Sequence, residues 1–479
     1  MLFNSYVFIF LYLPVTLFLY YLFAKKKLTK IATWSLIIQS FIFYSYWDIH
    51  YLTLLLVSIC TNYTLGSLIE KYKSKCILAF GVIFNLSLLG YYKYASFLVE
   101  NVNQLFKVNS PVPEIILPLG ISFFTFTQTA YLVDAYRGET ERYSVSTYLL
   151  FVTFFPHLIA GPILYHKDII PQFNNLRNFV FNYRNLSVGI LLFGLGLFKK
   201  VIIADNLAPW ATIVFDNALK ASFLEAWVGA LAYTLQLYFD FSGYSEMAVG
   251  LGLMCNIKLP INFNSPYQST SIIDFWRRWH ITLSEFLKNY LYIPLGGNRE
   301  GELTRYRNLF ITMLLGGLWH GANWTFVAWG ALHGFYLVLN HYWRRLGGSL
   351  PLWLSWPLTF ISIVIAWVFF RAKTLYDGVE ILKSMAGLKS IIFPVKYSFL
   401  KTLFVGTSVK FSLFPVLPIG NTELITLLAL IIALQYTPNP HKLIINFQPN
   451  WRWAIIAITA LSISILNLNK VSDFLYFQF

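Results

Sequence analysis

A chain of 479 residues that is 57% hydrophobic and 12% charged has about half the charged fraction of a soluble domain, which is roughly 25%. This deficit excludes an ordinary soluble globular protein and points to lipid as the solvent. The net charge of +15 lies in short basic clusters between apolar runs, a pattern of membrane topology and not of a nucleic-acid-binding face.

In chain order, stretches near the roughly 17–25 residues needed to cross a bilayer fall at Ser5–Phe23, Ile31–Trp47, Tyr51–Ile69, Cys76–Leu98, Ser144–Ile163, Leu186–Ala204, Phe223–Leu237, Leu309–Trp329, Leu354–Phe370, Leu424–Leu434 and Trp451–Ile465. The expected fold is an all-α integral membrane protein of about 11–12 transmembrane helices with re-entrant or interfacial helices, forming one polytopic domain over residues 1–479. The first stretch precedes KKKLTK at Lys25–Lys30 and carries no small-residue cleavage site, so it reads as a retained span and not a signal peptide. Lysines at 25–27, 30, 71, 73 and 75 alternate with the sparsely charged loop of Asp48 and His50. By the positive-inside rule the amino terminus is outside. Cys60, Cys76 and Cys255 are scattered in apolar segments; they form no disulfide framework or metal motif and read as small buried hydrophobes.

Residues 1–100 and 350–479 are mostly plain spans, whereas charged, Gly and Pro residues interrupt the apolar runs from about Pro113 to Arg345. Irregular backbone at membrane depth is tolerated where protein or a water-filled cavity surrounds it, so the middle is where a cavity is expected. Ser271 starts a segment that Pro294 and Gly296–Gly297 close, a helix of about twenty residues beginning in a capping-box-like turn. Asp274, Arg277, Arg278, His280, Glu285 and Lys288 lie within it, and each ionised group at mid-bilayer costs roughly 2.5–3.5 kcal/mol. The segment therefore reads as interfacial or re-entrant, with Asp274 and Arg278 paired at i,i+4 and His280 pointing inward.

LLGGLWHGANW at 314–324 poses a similar problem. Arg305 and Arg307 precede it and Arg344 and Arg345 follow it, placing both ends on one side by the positive-inside rule. One helix between them would be about 54 Å long, too long for a core of roughly 30 Å. The alternatives are a broken hairpin, with bends or close packing at Gly316, Gly317, Gly321, Gly330 and Gly334, or one basic cluster on the unexpected side.

Of the eight histidines, His320 is the intramembrane ionisable group that reads as functional. His50 and His441 lie in expected loops, His157 and His166 lie around the Pro and Gly of FPHLIAGPI, where a structural role at a kinked helix end outweighs a catalytic one, and His341 reads as interfacial. His333, about 220° around a helix from His320, would not share its face. Asn323, one turn on, lies on nearly the face of His320; it either holds the imidazole, donates to an oxyanion, or packs the helix. Asp240, Ser242 and Glu246 in YFDFSGYSEM lack the GxSxG elbow of a serine nucleophile. Asp240 and Glu246 instead read as orienting groups inside a cavity. HExxH, P-loop and GxGxxG patterns are absent, so neither a metal nor a bound cofactor is implied.

The segments LPLGISFFTFTQTAYLVDAYRG (117–138), FPHLIAGPI (155–163), GLFKKVIIADNLA (196–208), YFDFSGYSEMAVGLG (238–252), DFWRRWHITLSEFLKNYLYIPLGGNR (274–299) and LLGGLWHGANWTFVAWGALHG (314–334) resemble, in order and spacing, the membrane-bound O-acyltransferase superfamily. Within it they resemble the bacterial branch typified by the membrane subunit of alginate O-acetylation, with the core at about 113–345. Lys288–Asn289 stands where many relatives have Arg-Asp. The resemblance implies helices around a central tunnel and an essential histidine in LWHG, here His320, with His280 as a second catalytic-site histidine lining the tunnel. Asn323, Trp319, Asp274, Arg277, Arg278 and Asp240 are the expected substrate-binding residues. It further implies acetyl-CoA as cytoplasmic donor, a multi-pass protein of the bacterial inner membrane, and O-acetylation of an exported polysaccharide. The implied partners are a periplasmic or membrane-anchored acetyltransferase and the polysaccharide synthesis machinery. Arg277, Arg278, Arg299, Arg305 and Arg307 either meet the donor phosphates or serve as topological anchors. The rival readings are a transporter or flippase with a proton-relay histidine pair, which predicts internal repeats that the sequence lacks, and transfer of a D-alanyl or longer acyl group.

Overall fold

The computed structural model describes residues 1–405, 407, 409–417, 421–437, 443–445, 447–468 and 474–475, apart from the side chains of residues 400 and 421. His441 lies outside the described residues. Among the described residues helices dominate, with one two-stranded parallel ribbon of β1 (Ile391–Phe393) and β2 (Val409–Phe411). Five helices among the described residues are long and apolar enough to cross a membrane: α1 (Phe8–Lys25), α3 (Ile49–Tyr72), α4 (Lys75–Phe106), α8 (Tyr183–Asp216) and α14 (Leu352–Arg371). The chain is an all-α integral membrane protein. It forms two compact units, Met1–Val201 with Ser242–Asn262 and Pro440–Gln478, and Ile202–Phe241 with Phe263–Asn439.

The first unit contains α1, α2 (Thr29–Ser45), α3, α4, α5 (Ile121–Arg137), α6 (Val145–Thr153), α7 (His166–Asn174), the first part of α8, the last part of α9 (Phe223–Met254) and α17 (Trp451–Leu466). Short polar side chains start these helices where backbone N–H groups would otherwise lack acceptors: Asp48 accepts from His50 N at 2.8 Å and Ser144 from Thr147 N at 3.2 Å. Buried amides also knit the unit together. Asn62 and Asn85 donate to each other at 3.0 and 2.7 Å, and Gln128 donates to Ser58 Oγ at 2.9 Å. Between apolar helices such bonds supply association that lipid-like side chains cannot.

The expected span Ser144–Ile163 is not one helix: α6 stops before Phe154, where ψ turns to 108°, and a separate turn runs over Phe155–Leu158. Pro156 within that turn has no N–H with which to continue α6. The stretch Phe223–Leu237 is the first half of a much longer helix, because α9 continues to Met254 without a break at Ser242–Gly243. Gly243 and Gly196 instead bring two backbones together: a Cβ at either would approach the other's carbonyl oxygen to 2.6 or 2.4 Å. Cys60 and Cys76 are exposed, contrary to expectation, and Cys255 is buried. A small thiol on an apolar helix packs against protein or faces lipid at similar cost, so span composition alone does not place it.

His157 and His166 take up structural bonds. Nε2 of His157 meets Phe151 O at 2.9 Å, while His166 lies between Asp134 at 3.1 Å and Tyr143 at 2.7 Å.

The second unit carries the last part of α8, the first part of α9, α10 (Ile272–Trp276), α11 (Ile281–Leu287), α12 (Glu302–His320), α13 (Trp324–Arg345), α14, α15 (Leu375–Met385), the β ribbon and α16 (Asn421–Tyr436). Glu225 at the start of α9 is fully buried. It accepts from Ser222 N and Oγ at 2.9 and 2.7 Å, and from Val416 N and Leu417 N at 2.7 Å each. These four donors compensate the buried carboxylate and tie the segment after β2 to α9.

Gly196→Val is expected to destabilise the protein by about 1–3 kcal/mol through overpacking, read as a lower thermal midpoint in detergent. Gly90→Ala, where an added Cβ meets nothing within 4 Å, is the control and leaves the midpoint unchanged or higher.

Candidate active site

α12 and α13 form a broken hairpin. At 1.5 Å per residue they are about 28 and 33 Å long, each close to the bilayer core of roughly 30 Å. The chain leaves helical geometry at Gly321 (φ −165°, ψ 152°) and re-enters after Asn323. Across the hairpin, a Cβ on Gly317 would lie 2.9 Å from Gly330 Cα, so backbone touches backbone close to the turn. At the open end Arg345 pairs with Glu302, and Arg305 donates to His341 Nδ1 at 2.7 Å. Both basic clusters therefore share one end, as the broken-hairpin alternative requires.

This geometry buries His320 at the last position of α12, 5% exposed. Three aromatic rings surround its imidazole edge-on: Trp319 at 4.9 Å, Trp329 at 5.0 Å and Phe370 at 5.2 Å between centroids. Trp319, an expected substrate-binding residue, also faces His280 at 6.4 Å. One indole thus connects the two histidines.

The single helix expected from Ser271 to Pro294 is broken at His280. Ser271 caps α10 by accepting from Asp274 N at 3.1 Å, and the expected Asp274–Arg278 pair forms at 3.0 Å. The backbone then turns left-handed at His280, φ 42° and ψ 56°, before α11 begins. This region is sparsely populated by non-glycine residues and marks stored strain. His280 is fully buried, with Phe241 edge-on at 4.8 Å. Neither of its ring nitrogens has a hydrogen-bond partner among the described residues. A buried polar group left in this state calls for a specific explanation.

A cavity of about 620 Å³ opens within the same unit, lined by residues of α10 to α13 and the segments between them. Arg277, Lys288, Arg299, Arg305 and His341 give it a basic border, while Ile281, Leu309, Met313 and Leu337 line its apolar part. Its size is that of a small-ligand site. Of the cations expected to meet a donor, Arg277, Arg299 and Arg305 line it, but Arg278 and Arg307 do not. Arg278 is committed to Asp274, and Arg307 donates to Asn308 Oδ1 at 3.3 and 3.2 Å. The lining reaches Trp276 and Ile281 and does not include His280 or His320.

The remaining expected residues are placed as follows. Asp240 is buried on α9 beside Phe241, the ring that packs on His280. Asn323 caps α13 through Oδ1, accepting from Thr325 N at 3.0 Å, and its Nδ2 donates to Lys373 O at 3.2 Å. Both ends of its amide are therefore engaged in holding the hairpin turn. That corrects the expectation of a bond to the imidazole of His320, because an Asn beyond the helix end satisfies the orphan N–H groups of the next helix.

His333 was not expected at the site. The 220° offset from His320 assumes one continuous helix; after the reversal, the two histidines approach the same ring from opposite strands of the hairpin. Trp329 lies 5.0 Å from His320 and 4.8 Å from His333. The signal for this was the glycine-flanked turn, read together with basic clusters at both ends.

A family model described as the membrane-bound O-acyltransferase family matches residues 41–378. The chain belongs to that family. It is 47% identical to the peptidoglycan O-acetyltransferase of Helicobacter pylori, over 82% of this chain and 81% of that protein. It is 45% identical to a probable alginate O-acetylase of Pseudomonas aeruginosa, over 80% and 75%. A teichoic acid D-alanyltransferase of Streptococcus thermophilus is 28% identical over 47% of this chain and 57% of its own length. As a member of the O-acyltransferase family, this membrane protein is an enzyme, and its matched region contains every site residue described above.

Removing the cap tests the structural role of Asn323. Asn323→Ala is expected to cost about 1 kcal/mol of stability, read by thermal unfolding in detergent, whereas Asn323→Asp, which keeps the acceptor, costs less than half as much.

Proposed function

We propose that this enzyme transfers an acetyl group from acetyl-CoA, supplied on the cytoplasmic side of the bacterial inner membrane, for O-acetylation of an exported polysaccharide. His320 is its general base. The observation that carries this reading is the pair of buried histidines joined through Trp319, one of them strained and without hydrogen-bond partners among the described residues. The relatives named for O-acetylation of peptidoglycan and alginate support acetyl as the group and a polysaccharide as the final acceptor.

Imidazole is the side chain whose ordinary basicity suits proton abstraction near neutral pH. In the proposed step His320 removes the proton of an acceptor hydroxyl as the oxygen attacks the thioester carbonyl. A C–O bond forms, the C–S bond breaks, and the proton passes from His320 to the departing thiolate. His280, with unengaged ring nitrogens, contacts the bound acyl donor or acceptor, and Trp319 spaces the two imidazoles. Arg277, Lys288, Arg299 and Arg305 around the cavity suit the phosphates of coenzyme A. Asp274 and Arg278 support that wall as an ion pair, while Asp240 orients groups near His280. A periplasmic or membrane-anchored acetyltransferase, working with the polysaccharide synthesis machinery, completes delivery to the glycan.

His320→Ala is expected to abolish glycan acetyl esters in cells while the variant still accumulates in the membrane. Ester content at the wild-type level in that strain would sink the assignment of the base. For the donor site, Arg277→Glu and Arg299→Glu are each expected to raise KM for acetyl-CoA roughly tenfold, the scale of one charged hydrogen bond, with kcat changed little. That increase shrinks at high salt, where exposed charges are screened.

A further inference from the structure

Trp276 donates from indole Nε1 to His333 Nδ1 at 3.3 Å. An indole nitrogen can only donate, so Nδ1 carries a lone pair and the imidazole is neutral, with its proton on Nε2. His333 is fully buried, and Nε2 has no hydrogen-bond partner among the described residues. A phenyl ring would fill this aromatic slot, between Trp276 at 5.1 Å and Trp329 at 4.8 Å, without the unsatisfied Nε2–H, but it would offer the Trp276 indole no acceptor. Packing alone therefore does not explain an imidazole here.

The placement of His333 supplies a reason. Trp276 belongs to the wall of the basic cavity, and Trp329 lies against His320 at 5.0 Å. Cavity wall, Trp276, His333, Trp329 and His320 form an unbroken line of contacts inside one compact unit.

We propose that His333 is a positioning residue for acyl transfer: its hydrogen bond fixes the Trp276 indole in the cavity wall, and its ring seats Trp329 against His320. It acts through these two tryptophans and not on substrate. This assignment rests on His320 being the base.

The test uses the purified full-length enzyme in detergent with acetyl-CoA as probe and a soluble oligosaccharide in excess as the hydroxyl acceptor, following release of the CoA thiol, alongside the thermal midpoint of each variant. His333→Phe keeps the ring and removes the acceptor, Trp276→Phe keeps a ring and removes the donor, and His333→Gln retains an acceptor. His333→Phe is expected to unfold close to the wild-type midpoint, since removing the unsatisfied Nε2–H offsets the lost acceptor of Trp276, yet lose about tenfold in kcat, a split that a merely structural residue would not give. His333→Gln is expected to recover most of that loss, and His333→Phe combined with Trp276→Phe to be no slower than the slower single variant, since both remove one bond. Wild-type kcat in His333→Phe, or multiplicative losses in the double variant, would overturn the proposal. Should His333→Phe fail to fold, unchanged kcat in Trp276→Phe overturns it and a comparable loss supports it. If the wild-type enzyme releases no thiol while binding acetyl-CoA, the acetyl-CoA reading fails, and this inference with it.

Discussion

The site depends on keeping ionisable side chains away from lipid while bringing them close to one another. Charged and strongly polar groups are costly at membrane depth unless protein surrounds them, and the α12–α13 hairpin provides the enclosure. Its two arms touch backbone to backbone at Gly317 and Gly330, and its turn places His320 where α12 ends. The same reversal lets α13 present Trp329 to His320 and His333. With a side chain at either glycine the arms could not meet as they do, and the contact of Trp329 with His320 across the hairpin would have to be rebuilt.

A second constraint acts at His280. A straight helix through Asp274–Lys288 would gather Asp274, Arg277, Arg278, Glu285 and Lys288 within about 100° of one face, with His280 about 60° beyond its edge. Instead the backbone breaks at a left-handed residue, so α10 and α11 place their side chains independently. Asp274 and Arg278 are satisfied before the break, Arg277 and Lys288 reach the cavity border, and the histidine alone is fully enclosed. Strain at one residue thereby separates a basic surface from a buried imidazole within a few residues of sequence. That the strained residue is also without hydrogen-bond partners among the described residues is the combination expected where backbone geometry serves a site.

Much of this was legible in the sequence because membrane physics leaves few choices. Charge depletion gives the solvent, apolar run length gives the spans, and matching basic clusters at 305–307 and 344–345 made a hairpin one of two possible shapes for the His320 segment. The Asp274–Arg278 pair and the Ser271 cap follow from i,i+4 and i,i+3 spacing alone. What local periodicity could not supply were positions decided by chain reversal or by distant packing. His333 is the clearest case: angular arithmetic on one helix separated it from His320, and the turn at Gly321–Asn323 reunited them. Asn323 shows the converse, since sequence proximity to His320 suggested a bond that the capping requirement of α13 overrides. Cys60 and Cys76 fall in a third class, where lipid and protein interior are so alike in polarity that hydrophobic pattern does not distinguish them.

The two histidines nearest Trp319 and the basic cavity occupy one compact unit but separate compartments of it, with Trp276 and Ile281 on the cavity side and His280 and His320 enclosed. For a thioester this division has a chemical consequence. In the proposed reaction the phosphates of a coenzyme A donor would require cations and water, whereas the attacked carbonyl would benefit from a dry, preorganised site where electrostatic interactions are strong. The Trp276 indole in the cavity wall, with Trp329 packed between it and His320, is apolar toward the histidines. Its position must be held accurately, because small displacements of reacting groups are costly in rate. The bond from Trp276 to His333 is well placed to hold it, and it does so using the neutral form of a residue that packing by itself would not have required.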